Sequence, residues 1–170
     1  MPDENGSLLP GRNNLPLNEG QIRSVMNTFI GLDRSSAPIY RPDGRTVFRV
    51  TKVDDQEEEC QILFGADIYP GPNVIDPNAS LGLKAAVAHE LSHFYRHADM
   101  TEINDPALMH IDEALTSLDA VNRFSRDLND HEIRQLVADA MHRLQLYART
   151  RTDVVITEEV FPLAPAEELR

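Results

Sequence analysis

The spacing of apolar positions changes period twice along the chain. Over 21–32, Ile22, Met26 and Phe29/Ile30 recur at helical spacing, which predicts a helix. Over 46–53 the period drops to two: Val47, Arg49 and Thr51 alternate with Phe48, Val50 and Lys52, and 61–69 reads as a second strand. The two make an antiparallel hairpin, with the acidic run Asp54-Asp55-Gln56-Glu57-Glu58-Glu59 as its solvated tip. Arg41-Pro42-Asp43-Gly44 is a turn signal, and 70–78, with Pro70, Pro72 and Pro77, is loop. The helical period returns over 81–97, where Leu83, Val87, Leu91 and Phe94 form a core stripe. Beside it Gly82, Ala85 and Ala86 form a stripe of small residues leading to His89 and His93.

Two further helices follow. Asp105-Pro106 starts one, with Asp as N-cap and Pro at the first helical position. Its apolar face is read as Leu108, Ile111, Leu115 and Leu118, and its solvent face as Asp112, Thr116, Asp119 and Arg123. Asn129/Asp130 cap the last helix, 131–149, whose stripe is Ile133, Leu136, Val137, Met141 (or Ala140) and Leu144; 154–157 is a short β-like run. Two period-2 segments ahead of three capped helices predict an α+β fold, a small antiparallel sheet packed on helices, with helix 81–97 at the floor of a cleft. Residues 1–18 are read as a flexible segment, 19–158 as one domain and 159–170 as an acidic, Pro-containing tail; there are no internal repeats.

Helix 81–97 carries His89-Glu90-Leu91-Ser92-His93, an HExxH. Residues four apart share a helical face, so the two imidazoles converge on one point, as a tetrahedral Zn²⁺ requires of two nitrogen ligands. Glu90 follows the first ligand and is placed to act as general base on a water held by that metal.

A third protein ligand is needed, and Glu113 is the leading candidate. It falls opposite the leucine stripe of its helix, near Met109, Ser117, Ala120 and Phe124. A carboxylate in that company needs a charge partner or a metal. Asp99 is the second candidate, six residues after His93, as in HExxHxxGxxH/D metalloproteases, although Arg96 stands where that pattern has Gly. Cys60 is the third, because peptide deformylases pair an upstream Cys with an HExxH; its Glu-Glu-Glu-Cys-Gln context instead suits a buried strand thiol. His97, one turn beyond His93, is the fourth and suits a supporting role.

HExxH followed by a helix-borne Glu twenty residues after the second His resembles the gluzincin, thermolysin-like metallopeptidases. Asp112-Glu113-Ala114-Leu115-Thr116-Ser117 is similar to their Asn-Glu-Ala-hydrophobic-Ser-Asp motif, with Asp112 in place of Asn and Ser117 in place of the Asp that orients a zinc-binding His. His89-Glu90-Leu91-Ser92-His93 through His97 also resembles the small ImmA/IrrE-type metallopeptidases. The resemblance spans about residues 81–125. It implies a zinc-dependent metallopeptidase that hydrolyses a peptide bond in an intracellular protein or peptide. It also implies a strand beside the zinc helix as the rim of the cleft, for which Ile62-Leu63-Phe64-Gly65 is a candidate, as is an ordinary core strand. For oxyanion stabilisation, Tyr95, His97, His110, His131, His142, Arg143 and Tyr147 are available by type, His110 being nearest to Glu113 on its helix. Two alternatives stand beside this reading: a non-catalytic metal-binding or protein-interaction module that keeps the HExxH, and a deformylase-like amide hydrolase using Cys60.

Composition narrows the partners. The 170 residues are 41% hydrophobic and 26% charged, as in one globular domain. A net charge of −12 argues against nucleic-acid and anionic-membrane surfaces and leaves a protein or peptide as partner. There is no run of twenty apolar residues, no hydrophobic leader and a single cysteine, so the expected location is the cytoplasm; oligomeric state is not legible.

Overall fold

The computed structural model describes residues 11–55, 57–71 and 81–155. The fold is α+β: a three-stranded mixed sheet and four α-helices. Helix α1 (Glu19–Leu32) opens with a capping box in which the Asn18 side chain accepts from the Gln21 amide and the Gln21 side chain accepts from the Asn18 amide. It buries Val25 and Phe29, while Ile30 is exposed.

Strand β1 (Ile39–Tyr40) runs parallel to β3 (Glu57–Phe64), which pairs antiparallel with β2 (Val47–Asp54), so the order is β1-β3-β2. The expected hairpin is therefore present, but β1 makes the sheet mixed rather than wholly antiparallel. The chain leaves β1 through the turn closed by the Gly44 amide on the Arg41 carbonyl (3.1 Å), then returns on the far side of β3. At Gly65 a Cβ would collide with the carbonyl oxygen of Gly44, so this close passage of two backbones requires glycine.

β3 begins and ends earlier than expected. The acids Glu58 and Glu59 are in the strand, not at its tip, because they face Lys52 and Thr51 across an exposed part of the ladder. After Phe64 the chain leaves the sheet for a 3-10 turn, Ala66–Ile68, where Asp67 accepts from both the amide (2.8 Å) and hydroxyl (2.6 Å) of Thr46. That pair fixes the start of β2. Ile62, Leu63 and Phe64 are buried in the central strand, so they belong to the core and the edge beside the helices is β2.

Helix α2 (Leu83–Ala98) is the axis of the molecule. It packs against α1, β2 and β3 on one side and against α3 (Met109–Arg123) and α4 (Asp130–Val155) on the other. Val87 and Leu91 join Phe29, Phe64 and Ile68 in the core, with Phe64 lying between the rings of Phe29 and Tyr40. Ala85 and Ala86 are fully buried, so the stripe of small residues serves close helix packing. Of the N-terminal segment, residues 11–18 touch this body: Arg12 donates to the carbonyls of Asp67, Ile68 and Leu81, and Leu17 is buried. Burial outweighs the nearby carboxylates and brings the Arg12 guanidinium down to about 10.

α3 is rotated relative to the expected face. Leu115 and Leu118 are 41% and 42% exposed, whereas Glu113, Ala114, Thr116, Ser117 and Ala120 are buried. The polar side faces inward because α2 and α4 present charged partners to it: Arg96 of α2 donates to the Thr116 hydroxyl (2.6 Å) and pairs with Asp112 (2.7 Å). α4 shows the same effect. Leu136 and Ala140 are buried as expected, but so are Asp139 and Arg143, while Val137, Met141 and Leu144 are exposed. α4 begins with a second capping box, Asn129 with Glu132, and runs through Val154 and Val155, where a β-like run was expected. Residues 72–80, most of the expected loop, and 156–170, including the acidic tail, lie outside the described residues. No helix among the described residues is long and apolar enough to cross a membrane.

Candidate metal centre

α2 and α3 bring three side chains together. His89 and His93 stack one turn apart on α2, their ring centroids 4.8 Å from each other. Glu113, from the buried face of α3, lies across from both: His89 Nε2 is 3.1 Å from its Oε2, and His93 Nε2 is 3.4 Å from its Oε1. One donor atom from each residue can be chosen so that all lie within 4.8 Å of one another. Two imidazoles and a carboxylate gathered in this way could hold a metal ion.

Behind these donors is a closed ring of hydrogen bonds. Ser117 Oγ lies 2.8 Å from His89 Nδ1 and donates to Asp139 Oδ2 (2.5 Å). Arg143 Nε donates to that same Oδ2 (2.9 Å), and Arg143 Nη1 returns to Glu113 Oε2 (3.1 Å). Nδ1 of His89 is thus engaged from behind, which leaves Nε2 facing Glu113. Asp139, Arg143 and Glu113 are all buried, so the ring is a low-dielectric network in which each charge depends on its partners. Arg143 Nη2 is buried without a protein partner.

Charges follow this geometry. Burial alone would pull the His93 imidazole down, but the Glu113 carboxylate lifts it to about 9. Burial pushes Glu113 up, and His93, His89 and Arg143 together overcome it and hold Glu113 well below the usual carboxylate range. Glu90 goes the other way: burial, only partly opposed by the two imidazoles, raises it. For Arg143, the carboxylates of Glu113 and Asp139 outweigh burial and raise the guanidinium.

His93 and Glu113 open on a cleft of about 930 Å³, which His89 does not line. Glu90, His93 and Glu113 form one side, and residues 47–50 of β2 the other. Glu90 lines this cleft beside the donor set without belonging to it. His97 lines it too, but its ring is held at both nitrogens, Nδ1 by Glu102 (2.7 Å) and Nε2 by Glu58 (3.0 Å).

The remaining sequence candidates are elsewhere. α2 does not turn at Arg96; it continues to Ala98, and the chain turns away at Met100, whose φ of 54° places it in the left-handed region. There the Met100 and Thr101 amides return to the His97 and Arg96 carbonyls. Asp99 consequently points away and pairs with Arg123 (2.9 Å). Cys60 lines a separate cavity with Asp33, Leu91 and Phe94, and burial raises its thiol. His110 is not among the residues lining the cleft; burial, then the Arg143 charge, lowers its imidazole.

Two contributors escaped the sequence reading as parts of the centre: Asp139 and, in its position behind Glu113, Arg143. Their signal is an acid and a base four residues apart on the same face as Leu136 and Ala140. No protein-family model, curated protein or solved structure matches the chain.

Proposed function

We propose that the chain is a zinc-dependent metallopeptidase of gluzincin-like design, with the HExxH helix α2 as the floor of a peptide-binding cleft and His89, His93 and Glu113 as the metal ligands. One observation carries the reading: two imidazole nitrogens and a carboxylate oxygen lie within 4.8 Å of one another, beside a cleft lined by His93, Glu113 and a carboxylate outside the donor set, Glu90. Zn²⁺ bound there would act as a Lewis acid and bring the pKa of a water to about 7.

The residues divide the work. Glu90 takes the proton of the attacking water and can return it to the leaving amine. Glu113 balances charge within the donor set. Ser117 and Asp139 hold the His89 ring in one orientation, the service that a direct Asp performs in the resembling family. Arg143 keeps Glu113 and Asp139 neutralised in a buried setting.

The test has two parts. Purified wild type should hold one zinc per chain by elemental analysis, and His93→Ala should hold none; full zinc in His93→Ala would place the metal elsewhere. Glu90→Gln keeps the shape of the side chain and removes the base, so it should bind zinc and lose on the order of 10²–10⁴ in rate. A substrate can be found by comparing the proteomes of cells expressing wild type and Glu90→Gln. Equal turnover of that substrate by both proteins would reject the mechanism.

A further inference from the structure

The rim of the cleft differs in charge from the rest of the chain. In a protein of net charge −12, residues 41–52 carry Arg41, Arg45, Arg49 and Lys52 against Asp43 alone. All four cations line the cleft that contains Glu90, His93 and Glu113. Lys52 is on the same side of β2 as Phe48 and Val50, Arg49 on the other, so positive charge flanks the strand on both sides.

Three carboxylates near this rim are already engaged. Glu58, opposite Lys52 in the ladder, is held by His97, and so is Glu102 on the facing side of the cleft. Glu59 accepts from the Gln61 side chain. Among the described residues no ion pair joins Arg41, Arg49 or Lys52 to a carboxylate. β2 is also an edge: among the described residues it pairs only with β3, and its other side has a free backbone ladder along the cleft.

We propose that this cleft selects an extended acidic peptide segment, which adds to the free edge of β2 while Arg41, Arg49 and Lys52 meet its carboxylates. The inference rests on the peptidase reading above and gives that reading a substrate class. A strand edge supplies donors and acceptors at peptide spacing, which favours a polypeptide over other polyanions; the charges then decide which polypeptide.

The experiment uses the full-length Glu90→Gln protein, so that binding is read without cleavage. Three fluorescein-labelled peptides alternate Val with Glu, Gln or Lys, and binding is followed by fluorescence anisotropy with and without added zinc. The Glu peptide should bind best, and more weakly as salt is raised. N-methylation of its alternate amides should abolish binding. The double variant Arg49→Glu/Lys52→Glu should weaken the Glu peptide on the order of tenfold and favour the Lys peptide, since each reversal replaces attraction with repulsion.

Equal binding of the three peptides would overturn the proposal and leave the rim cations the simpler task of guarding a strand edge against aggregation. A single-stranded oligonucleotide that outcompetes the Glu peptide would also overturn it. The two readings fail separately. Charge-selective binding by a protein that takes up no zinc and cuts nothing would sink the peptidase alone, and zinc-dependent cleavage with charge-blind binding would sink this inference alone.

Discussion

His89 Nδ1 and Ser117 Oγ lie 2.8 Å apart, and the same hydroxyl donates to Asp139 2.5 Å away. The imidazole is therefore oriented by a carboxylate that reaches it through a serine and comes from a different helix. In the family pattern that the sequence resembles, the carboxylate would stand at position 117 itself. Ser117→Ala breaks the relay and leaves the three donors in place. Its zinc affinity should fall roughly 10–100-fold, the usual loss when a partner of a ligating histidine is removed. Competition against a chromophoric chelator measures this. An unchanged affinity would reduce Ser117 to a packing residue.

Arg143 is the only cation that contacts both Glu113 and Asp139 among the described ion pairs, and all three are buried. Arg143→Met fills similar space and strands two carboxylates. Breaking a buried pair on one side costs about 3–5 kcal/mol, more than an exposed pair would. Urea unfolding of the metal-free proteins reads the difference. A loss below about 1 kcal/mol would show that water reaches these carboxylates and that the ring is not a dry network.

The elements were legible in the sequence to the extent that they obey one period. α1, the β2–β3 hairpin and α2 follow it, and the HExxH spacing correctly brings His89 and His93 together, with Glu113 recognisable as an acid on the side of α3 away from its leucines. Periodicity assumes that polar residues face water, and it fails where the buried face is itself polar. Arg96, Asp112 and Thr116 satisfy one another inside, as do Ser117, Asp139 and Arg143, so α3 turns Leu115 and Leu118 outward and α4 turns Val137, Met141 and Leu144 outward. Pairing across helices far apart in the chain leaves no local pattern beyond the Asp139/Arg143 spacing. The strand limits failed for a simpler reason: Glu58 and Glu59 read as a tip, and only the register opposite Lys52 and Thr51 makes them strand.

His97 ties the hairpin to the end of α2 through Glu58 and Glu102. The hydrogen bond to Glu102, then that to Glu58, lifts its imidazole above the ordinary 6.5 against the effect of burial. Burial would raise Glu102, but His97 and Asn104 hold it below the ordinary 4.5. A raised histidine contributes stability that is complete below 6.5 and is lost as pH climbs through its folded value. A depressed carboxylate contributes above 4.5 and is lost as pH falls through its folded value. The tie is therefore strongest in mildly acidic solution. The stability gap between wild type and His97→Gln should shrink from pH 6 towards alkaline pH, and hydrogen exchange in β2 should quicken with it. A gap independent of pH would mean that the imidazole is not charged in the fold.

The rotated face of α3 yields a test that separates the two readings of the helix directly. If Leu115 and Leu118 were core, replacing either with a polar residue would cost several kcal/mol; both are more than 40% exposed, by 41% and 42%. Leu118→Gln should therefore change stability by no more than about 0.5 kcal/mol. Thr116 is the reverse case. It is fully buried, its hydroxyl accepts from Arg96 Nη1 (2.6 Å) and donates to the Asp112 carbonyl (2.9 Å). Thr116→Val keeps the volume and removes both bonds, and an unsatisfied buried partner of a charged donor costs about 1–3 kcal/mol. Arg96 is further held by Asp112 and the Thr101 carbonyl, so the lower half of that range is expected. Chemical unfolding of the two variants side by side checks the order: Leu118→Gln near wild type and Thr116→Val clearly below it. The opposite order would return the leucine stripe to the core and place Thr116 in water.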